Sequence, residues 1–203
     1  MSVSRSQVWI VDGSTGEPVQ AILFHKIVEK HLRDYEGRWR PWLEQAVAAQ
    51  PSLPRQESAH WDRRKKMEAV GRLLGYPSCA IECNRETQGL MIASTMGSSR
   101  LESQKGKPLV YIEFLETAPW NRVTLTGQPR YKRVGPALVD VAIQLSMNEG
   151  FHGRVGLHSL PQSDDWYRGI CGMTDLGKDP KKQNLRYFEM TIEQARAFLG
   201  KGS

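Results

Sequence analysis

No apolar run in this 203-residue sequence approaches the roughly 18 residues of a membrane-spanning helix, which excludes a helical membrane protein. The opening MSVSRSQVWIVDG has only the apolar residues 8–11 before Asp12, too few for the hydrophobic region of a signal peptide. Cysteine is scarce. Cys79, Cys83 and Cys171 are too few and too unevenly placed for a disulfide framework, which fits a reducing cytoplasm. A soluble, cytoplasmic protein is expected. Cys79 and Cys83 share a face of a predicted strand, yet no His or second Cys pair lies near them, so no metal site is expected. His25, His31, His60 and His152 are scattered, and no GKS or GKT follows a glycine-rich turn as in a Walker loop. Internal repeats, low-complexity stretches and the interleaved aromatic pattern of a single-strand binder are absent.

What is present is a globular composition: 39% hydrophobic and 25% charged residues, with six Trp, too apolar and too complex for a disordered chain. One domain over residues 1–203 is expected, with residues 1–76 as an N-terminal elaboration and 77–203 as the part bearing the core sheet. The net charge of +6 favours anions such as nucleotide phosphates or nucleic acid, but an excess of this size is also common on solvated faces.

Hydrophobic periodicity divides the chain into elements. Residues 8–12 read as a strand closed by the turn Gly13-Ser14-Thr15-Gly16. Residues 19–35 carry helical spacing, although VQAILF also reads as a strand, and a helical stripe continues through Trp39, Trp42 and Val47 with Pro41 in its first turn. A helix is expected over residues 58–74, capped by Ser58 and ended by Gly75. CAIEC from Cys79 and LMIAST from Leu90 form a hairpin around the turn NRETQG. The polar stretch 96–108 reads as a mobile connection. Strands follow at 109–116, 154–160 and 185–190, with helices at 134–149, 163–170 and 191–199. The strand, long helix and strand across 109–160 make a βαβ unit with a parallel crossover, placing ligands at the strands' C-terminal ends.

The long helix has the clearest chemistry. Val134, Leu138, Val141, Ala142 and Leu145 line one side, Pro136 suits the first turn, and Gly150 follows the last. In front stands PRYKRVGPA. First-turn amides lack intrahelical acceptors and the helix dipole adds positive potential, so this is a natural pyrophosphate cradle. Gly135 permits close approach, and Arg130, Lys132 and Arg133 add charge-assisted contacts. The same residues also read as an ordinary capped helix with a solvated basic approach.

The segment from Leu109 through Leu199 resembles the Gcn5-related N-acetyltransferase (GNAT) family. A strand ends near Pro119, a Gly-containing loop opens a long helix, a strand follows, and then an aromatic–Tyr pair, Trp166-Tyr167, and a closing Gly172-Met173. The family's loop reads Gln or Arg, two residues, Gly, one residue, then Gly or Ala; here Lys132 stands first, Arg133, Val134 and Gly135 follow, and Pro136 removes one amide donor before Ala137. The resemblance implies an α/β fold with a mixed sheet and a splayed central strand. It also implies acetyl-CoA as co-substrate, with Glu116, Thr117 and Ala118 as main-chain contacts for its pantetheine arm and with Trp120 and Asn121 near the cleft. Strand alternation puts Tyr111, Glu113 and Leu115 on one face, so Glu113 is the candidate base for the attacking amine, with Glu116 its rival. Tyr167 falls where the family's general acid lies, although its spacing to Gly172 is one residue longer than the commonest.

The expected function is transfer of an acetyl or other acyl group from acyl-CoA to an amine on a small molecule or protein. The rival is a non-catalytic acyl-CoA-binding or protein-interaction module. Acylation of a charged tRNA, using the basic run 63–66, ranks below both, and Cys171 with His158 imitates a nucleophile and base without a third, orienting group. A homodimer is compatible with the sequence, which sets no oligomeric state.

Overall fold

The computed structural model describes residues 3–49 and 76–200. The helix expected over 58–74 and the basic run 63–66 lie outside the described residues. Those described cluster into two compact units, one of residues up to 49, 77–92 and 114–138, the other of residues 76, 93–113 and 139–200.

In the first unit, β1 (Arg5–Asp12) and β2 (Pro18–Phe24) form an antiparallel hairpin. Asp12 closes its loop by accepting from the amides of Ser14, at 2.8 Å, and Thr15, at 3.1 Å. The ambiguous VQAILF is thus a strand, and helix begins only at α1 (Glu29–Asp34), which a π-turn (Tyr35–Trp39) joins to α2 (Arg40–Ala49). β3 (Ser78–Cys83) pairs with β2 and with β4 (Glu86–Ser98).

The β3–β4 turn is tighter than expected. Only Asn84 and Arg85 form it, with φ of 51° and 62°, the left-handed pair that a two-residue hairpin needs, and ETQG belongs to the strand. Gly89 is therefore not a turn glycine: a Cβ there would lie 2.8 Å from Val134 Cγ1 and 3.0 Å from Leu138 Cδ1. Its bare backbone lets the long helix pack against β4. After β5 (Pro108–Thr117) come the short α3 (Val123–Thr126), β6 (Tyr131–Lys132) and α4 (Val134–Asn148), the first turn of which belongs to this unit. Ile10, Ala21, Ile81, Leu90 and Leu138 are buried in the core, as is Trp39, which packs edge-on to Trp120 at 6.4 Å and donates its indole N–H to the Thr87 carbonyl at 3.0 Å.

His31 anchors α1. Its ring is fully buried, Nδ1 accepts from the Val28 amide at 3.0 Å, and Nε2 therefore carries the proton donated to Glu82 at 2.8 Å. Burial pushes its pKa below the ordinary 6.5. The unfolded chain takes up a proton near 6.5 that the folded ring refuses. This contribution to stability is therefore complete above about pH 6.5 and is lost as pH falls through the folded value. Thermal melts should show stability declining from pH 7 to 5, with a shallower decline in His31→Gln.

In the second unit, β7 (Val155–Ser159) pairs in parallel with β5 and antiparallel with β9 (Leu185–Met190). β9 also pairs with β8 (Thr174–Asp179), a strand that the sequence pattern leaves unassigned and that this pairing holds in place. α5 (Ile192–Gly200) closes the chain. One side of these strands carries Val110, Ile112, Val155, Leu157, Phe188 and Met190, all buried. The connection at 96–108, expected to be mobile, is tied down. β4 runs on to Ser98, and the fully buried Glu189 carboxylate accepts from the Ser99 hydroxyl, the amides of Arg100 and Leu101, and the Gln104 amide group. A buried carboxylate needs such a donor set to remain satisfied.

Together the nine strands among the described residues form one mixed sheet in the order β6-β1-β2-β3-β4-β5-β7-β9-β8, with β4 and β5 contributing to both units. No helix among the described residues is long and apolar enough to cross a membrane.

Candidate functional site

In the first unit, the approach to α4 is built by backbone contacts. The Arg130 carbonyl accepts from the Gly13 amide at 2.8 Å, the Arg130 amide donates to the Trp120 carbonyl at 2.9 Å, and β6 pairs with the end of β1, Lys132 opposite Val11. Arg133 then adopts φ 67°, a conformation that costs a non-glycine residue about 1 kcal/mol and turns the chain into the helix. The first intrahelical bond runs from the Ala137 amide to the Arg133 carbonyl at 3.0 Å. Ala137 therefore has no amide to offer an anion, contrary to its expected role, and Pro136 has none at all. The first-turn donors are the amides of Val134 and Gly135, which precede that bond.

Lys132 and Arg133 are exposed. Arg130 pairs with Glu86 at 2.6 Å and lies 5.1 Å from the centre of the Trp120 ring. The expectation that Arg130 serves a phosphate meets a guanidinium already committed to a carboxylate and an indole.

The end of β5 is also engaged. Arg122 pairs with Glu116 and donates to the Thr117 carbonyl through Nε at 3.1 Å and Nη2 at 2.8 Å. The Ala118 amide donates to the Gln88 carbonyl at 2.9 Å, so Ala118 lacks the donor that a pantetheine carbonyl would need. Trp120 and Asn121 face inward rather than towards a ligand: the Trp120 indole N–H and the Asn121 amide group both donate to Gln88 Oε1 at 2.9 Å. The fully buried Gln88 is the hub that holds this end of the strand, and sequence reasoning took it for part of a turn. The local sequence carries no signal for that role, because Trp120 and Asn121, which it holds, lie 32 and 33 residues away.

The second unit holds the remaining candidates. The β5–β7 register covers Val110 to Ile112 and ends there, although β5 continues to Thr117 and β7 to Ser159. Glu113, half-buried, is the first residue past the end of that ladder. Tyr167 is buried, its ring edge-on to Trp166 at 4.8 Å and 6.0 Å from Phe188. Phe188 stands opposite Leu157, and Leu157 opposite Ile112, so Tyr167 packs on the face of Ile112, while Glu113 projects from the other. Burial pushes the Tyr167 phenol well above its ordinary value and keeps it protonated. The extra residue between Tyr167 and Gly172 is absorbed by a π-turn, Trp166–Ile170, in which the Cys171 amide reaches back to the Trp166 carbonyl at 3.1 Å. Cys171 is not matched with His158, whose two ring nitrogens face Tyr111 and Asp179. Burial pushes the Cys79 thiol up to about 12, which removes it from thiolate chemistry.

No family model and no curated protein matches the sequence. Solved structures do match. The GNAT domain of Pat from S. lividans superposes with a TM-score of 0.52 at 11% identity, over 92% of this chain and 96% of that one. A GNAT-family acetyltransferase from Listeria monocytogenes gives 0.54 at 12% identity, over 90% and 99%. The PaiA N-acetyltransferase from Thermoplasma acidophilum, solved in complex with coenzyme A, gives 0.54 at 11% identity, over 85% and 99%.

Proposed function

From the GNAT acyltransferase fold of this chain, we propose that the protein is an acyl-CoA-dependent N-acyltransferase, with acetyl-CoA as donor and an amine on a small molecule or protein as acceptor. The observation that carries the proposal is the start of α4, where the amides of Val134 and Gly135 precede the first intrahelical bond and the exposed Lys132 and Arg133 stand beside them. Two amide donors, the positive end of a 15-residue helix and two cations suit a pyrophosphate. PaiA, of the same fold, was solved with coenzyme A, which supports the choice of ligand.

In the proposed reaction the thioester lies past the end of the β5–β7 ladder, open to Glu113 on one face of the strands and to Tyr167 on the other. The acceptor ammonium first gives a proton to Glu113, and the resulting amine attacks the thioester carbonyl carbon. A C–N bond forms, the C–S bond breaks, the thiolate takes the Tyr167 proton and the nitrogen sheds its second proton; Glu113 then releases its proton to water and Tyr167 takes one back. The pantetheine arm runs along β5 beyond Ile112, using main-chain groups of Glu116 and Thr117.

The specific observation favouring a non-catalytic module instead is the same loop, in which Pro136, Ala137 and Arg130 are lost as phosphate contacts. Calorimetric titration with acetyl-CoA, followed by CoA release over a panel of amines, separates the two: binding with release supports the enzyme, and binding without release supports the module. Pro136→Ala restores one amide donor at the helix start. At about 1 kcal/mol for one hydrogen bond, it should tighten acetyl-CoA binding about fivefold, and an unchanged or weaker affinity would place the phosphates elsewhere.

A further inference from the structure

The face of the second unit opposite Tyr167 carries a row of polar side chains joined end to end. Tyr111 on β5 meets His158 on β7, its hydroxyl 2.7 Å from Nδ1, and His158 Nε2 lies 3.0 Å from Asp179 Oδ2 on β8. Arg100 Nη1 reaches the same Asp179 oxygen at 2.6 Å and caps the Tyr187 ring at 4.3 Å, while the Lys181 amide holds the other oxygen at 2.9 Å. Pairing of the strands brings the group together. Gly156 stands opposite Tyr111 and has no side chain to intrude, and a Cβ there would lie 2.8 Å from the Tyr187 hydroxyl.

The direction of these hydrogen bonds is set by Asp179. Arg100, with help from His158 and the Lys181 amide, holds its carboxyl well below the ordinary range, so it only accepts. His158 therefore carries its proton on Nε2 and presents the Nδ1 lone pair to the Tyr111 hydroxyl, which donates. Burial keeps the ring neutral by pushing its pKa below 6.5. The charged and titratable groups around it are Tyr111, Asp179, Arg100, Lys182 and, against its ring, Tyr187. One end of the row is closed and the other open: the His158 side chain is 4% exposed, whereas Tyr111 is half-buried and has Glu113 beside it.

We infer that Tyr111, backed by His158 and Asp179, is a second proton acceptor for the acceptor amine. The inference rests on the acyltransferase reading and completes its proton count. An ammonium that becomes an amide loses two protons from nitrogen. Glu113 takes the first before attack. After attack the nitrogen is again positively charged, and its N–H proton passes to the Tyr111 oxygen as that residue's own O–H proton passes to His158 Nδ1. The imidazolium so formed is held by Asp179. The row resets when Tyr111 releases one proton to water and takes back the other from His158. Tyr111 is then a catalytic residue, and His158 and Asp179 are positioning residues that act through it.

The test compares wild type with Tyr111→Phe, His158→Gln and Asp179→Asn, measuring kcat for CoA release, the KM for acetyl-CoA and the pH profile. Tyr111→Phe, which keeps the ring, should lower kcat about 100-fold and leave the acetyl-CoA KM within about twofold. In wild type, kcat should fall on an acid limb below about pH 6.5 as His158 protonates. His158→Gln should lower kcat and abolish that limb, and Asp179→Asn should shift it to lower pH, since the imidazolium loses its counter-charge. A merely structural network would not move this limb. Tyr111→Phe with unchanged kcat and pH profile, while Tyr167→Phe still slows release, would overturn the relay alone. Wild-type protein that neither binds acetyl-CoA nor releases CoA with any amine would overturn the acyltransferase reading and the relay with it. Should a variant fail to fold, the wild-type profile decides by itself: a kcat with no acid limb below about pH 6.5 contradicts the relay.

Discussion

Tyr167→Phe is expected to lower kcat for CoA release by about 10²- to 10⁴-fold, the range over which a positioned proton donor contributes. The substitution is clean because the ring, not the hydroxyl, makes the packing: Tyr167 lies edge-on to Trp166 and beside Phe188, and phenylalanine keeps both contacts. Stability should change by no more than about 1 kcal/mol. Acetyl-CoA affinity should be preserved, since residues 132–137 are untouched. A phenol is suited to this task because it stays protonated at neutral pH, and burial strengthens that tendency here. The π-turn also matters. It sets the rotation of the helix after Tyr167, so deleting Gly169 to restore ordinary α-helical spacing should swing the tyrosine off its present direction and cost activity even though Tyr167 remains. Unchanged kcat in Tyr167→Phe would remove this residue from the chemistry.

Gly13→Ala should have the largest effect on stability. A Cβ at this position would lie 1.6 Å from the Pro129 carbonyl oxygen and 2.8 Å from its carbon, and both belong to backbone that cannot rotate away. The loop must shift, breaking the bond from the Gly13 amide to the Arg130 carbonyl, and overpacking of this kind costs about 3 kcal/mol. For a chain of this size that corresponds to a fall in melting temperature of about 6–12 °C. The displaced loop leads directly through Lys132 and Arg133 into α4, so acetyl-CoA affinity should also drop, by about tenfold or more, on the scale of one lost phosphate contact. Gly37→Ala is the control. A Cβ there meets nothing within 4 Å, and its effect should stay within about 1 kcal/mol. Equal tolerance at the two positions would contradict the close approach at Gly13.

These contrasts show where local pattern stops being informative. The β5–α4–β7 crossover was legible because periodicity, Pro136 and Gly150 all point to the same helix, and the paired strands confirm the parallel crossover. Gly89 was misread because glycine signals a turn as readily as a close approach, and only the position of Val134 tells them apart. Gln88 and Glu189 were invisible as organisers. Each is defined by partners 30 to 90 residues away, and neither spacing nor composition records that a buried polar group is satisfied. The segment 96–108 looked mobile for the same reason. Among the candidate site residues, Arg130 and Ala137 make contacts that the loop pattern does not encode.

The central claim is that the start of α4 binds the phosphates of acyl-CoA, and calorimetric titration of acetyl-CoA into wild type and Gly135→Glu tests it most directly. A carboxylate beside the Val134 and Gly135 amides would repel the pyrophosphate, so wild type should bind one acetyl-CoA per chain and the variant at least about tenfold more weakly. The absence of saturable binding to wild type, or equal affinity in the two proteins, would contradict it.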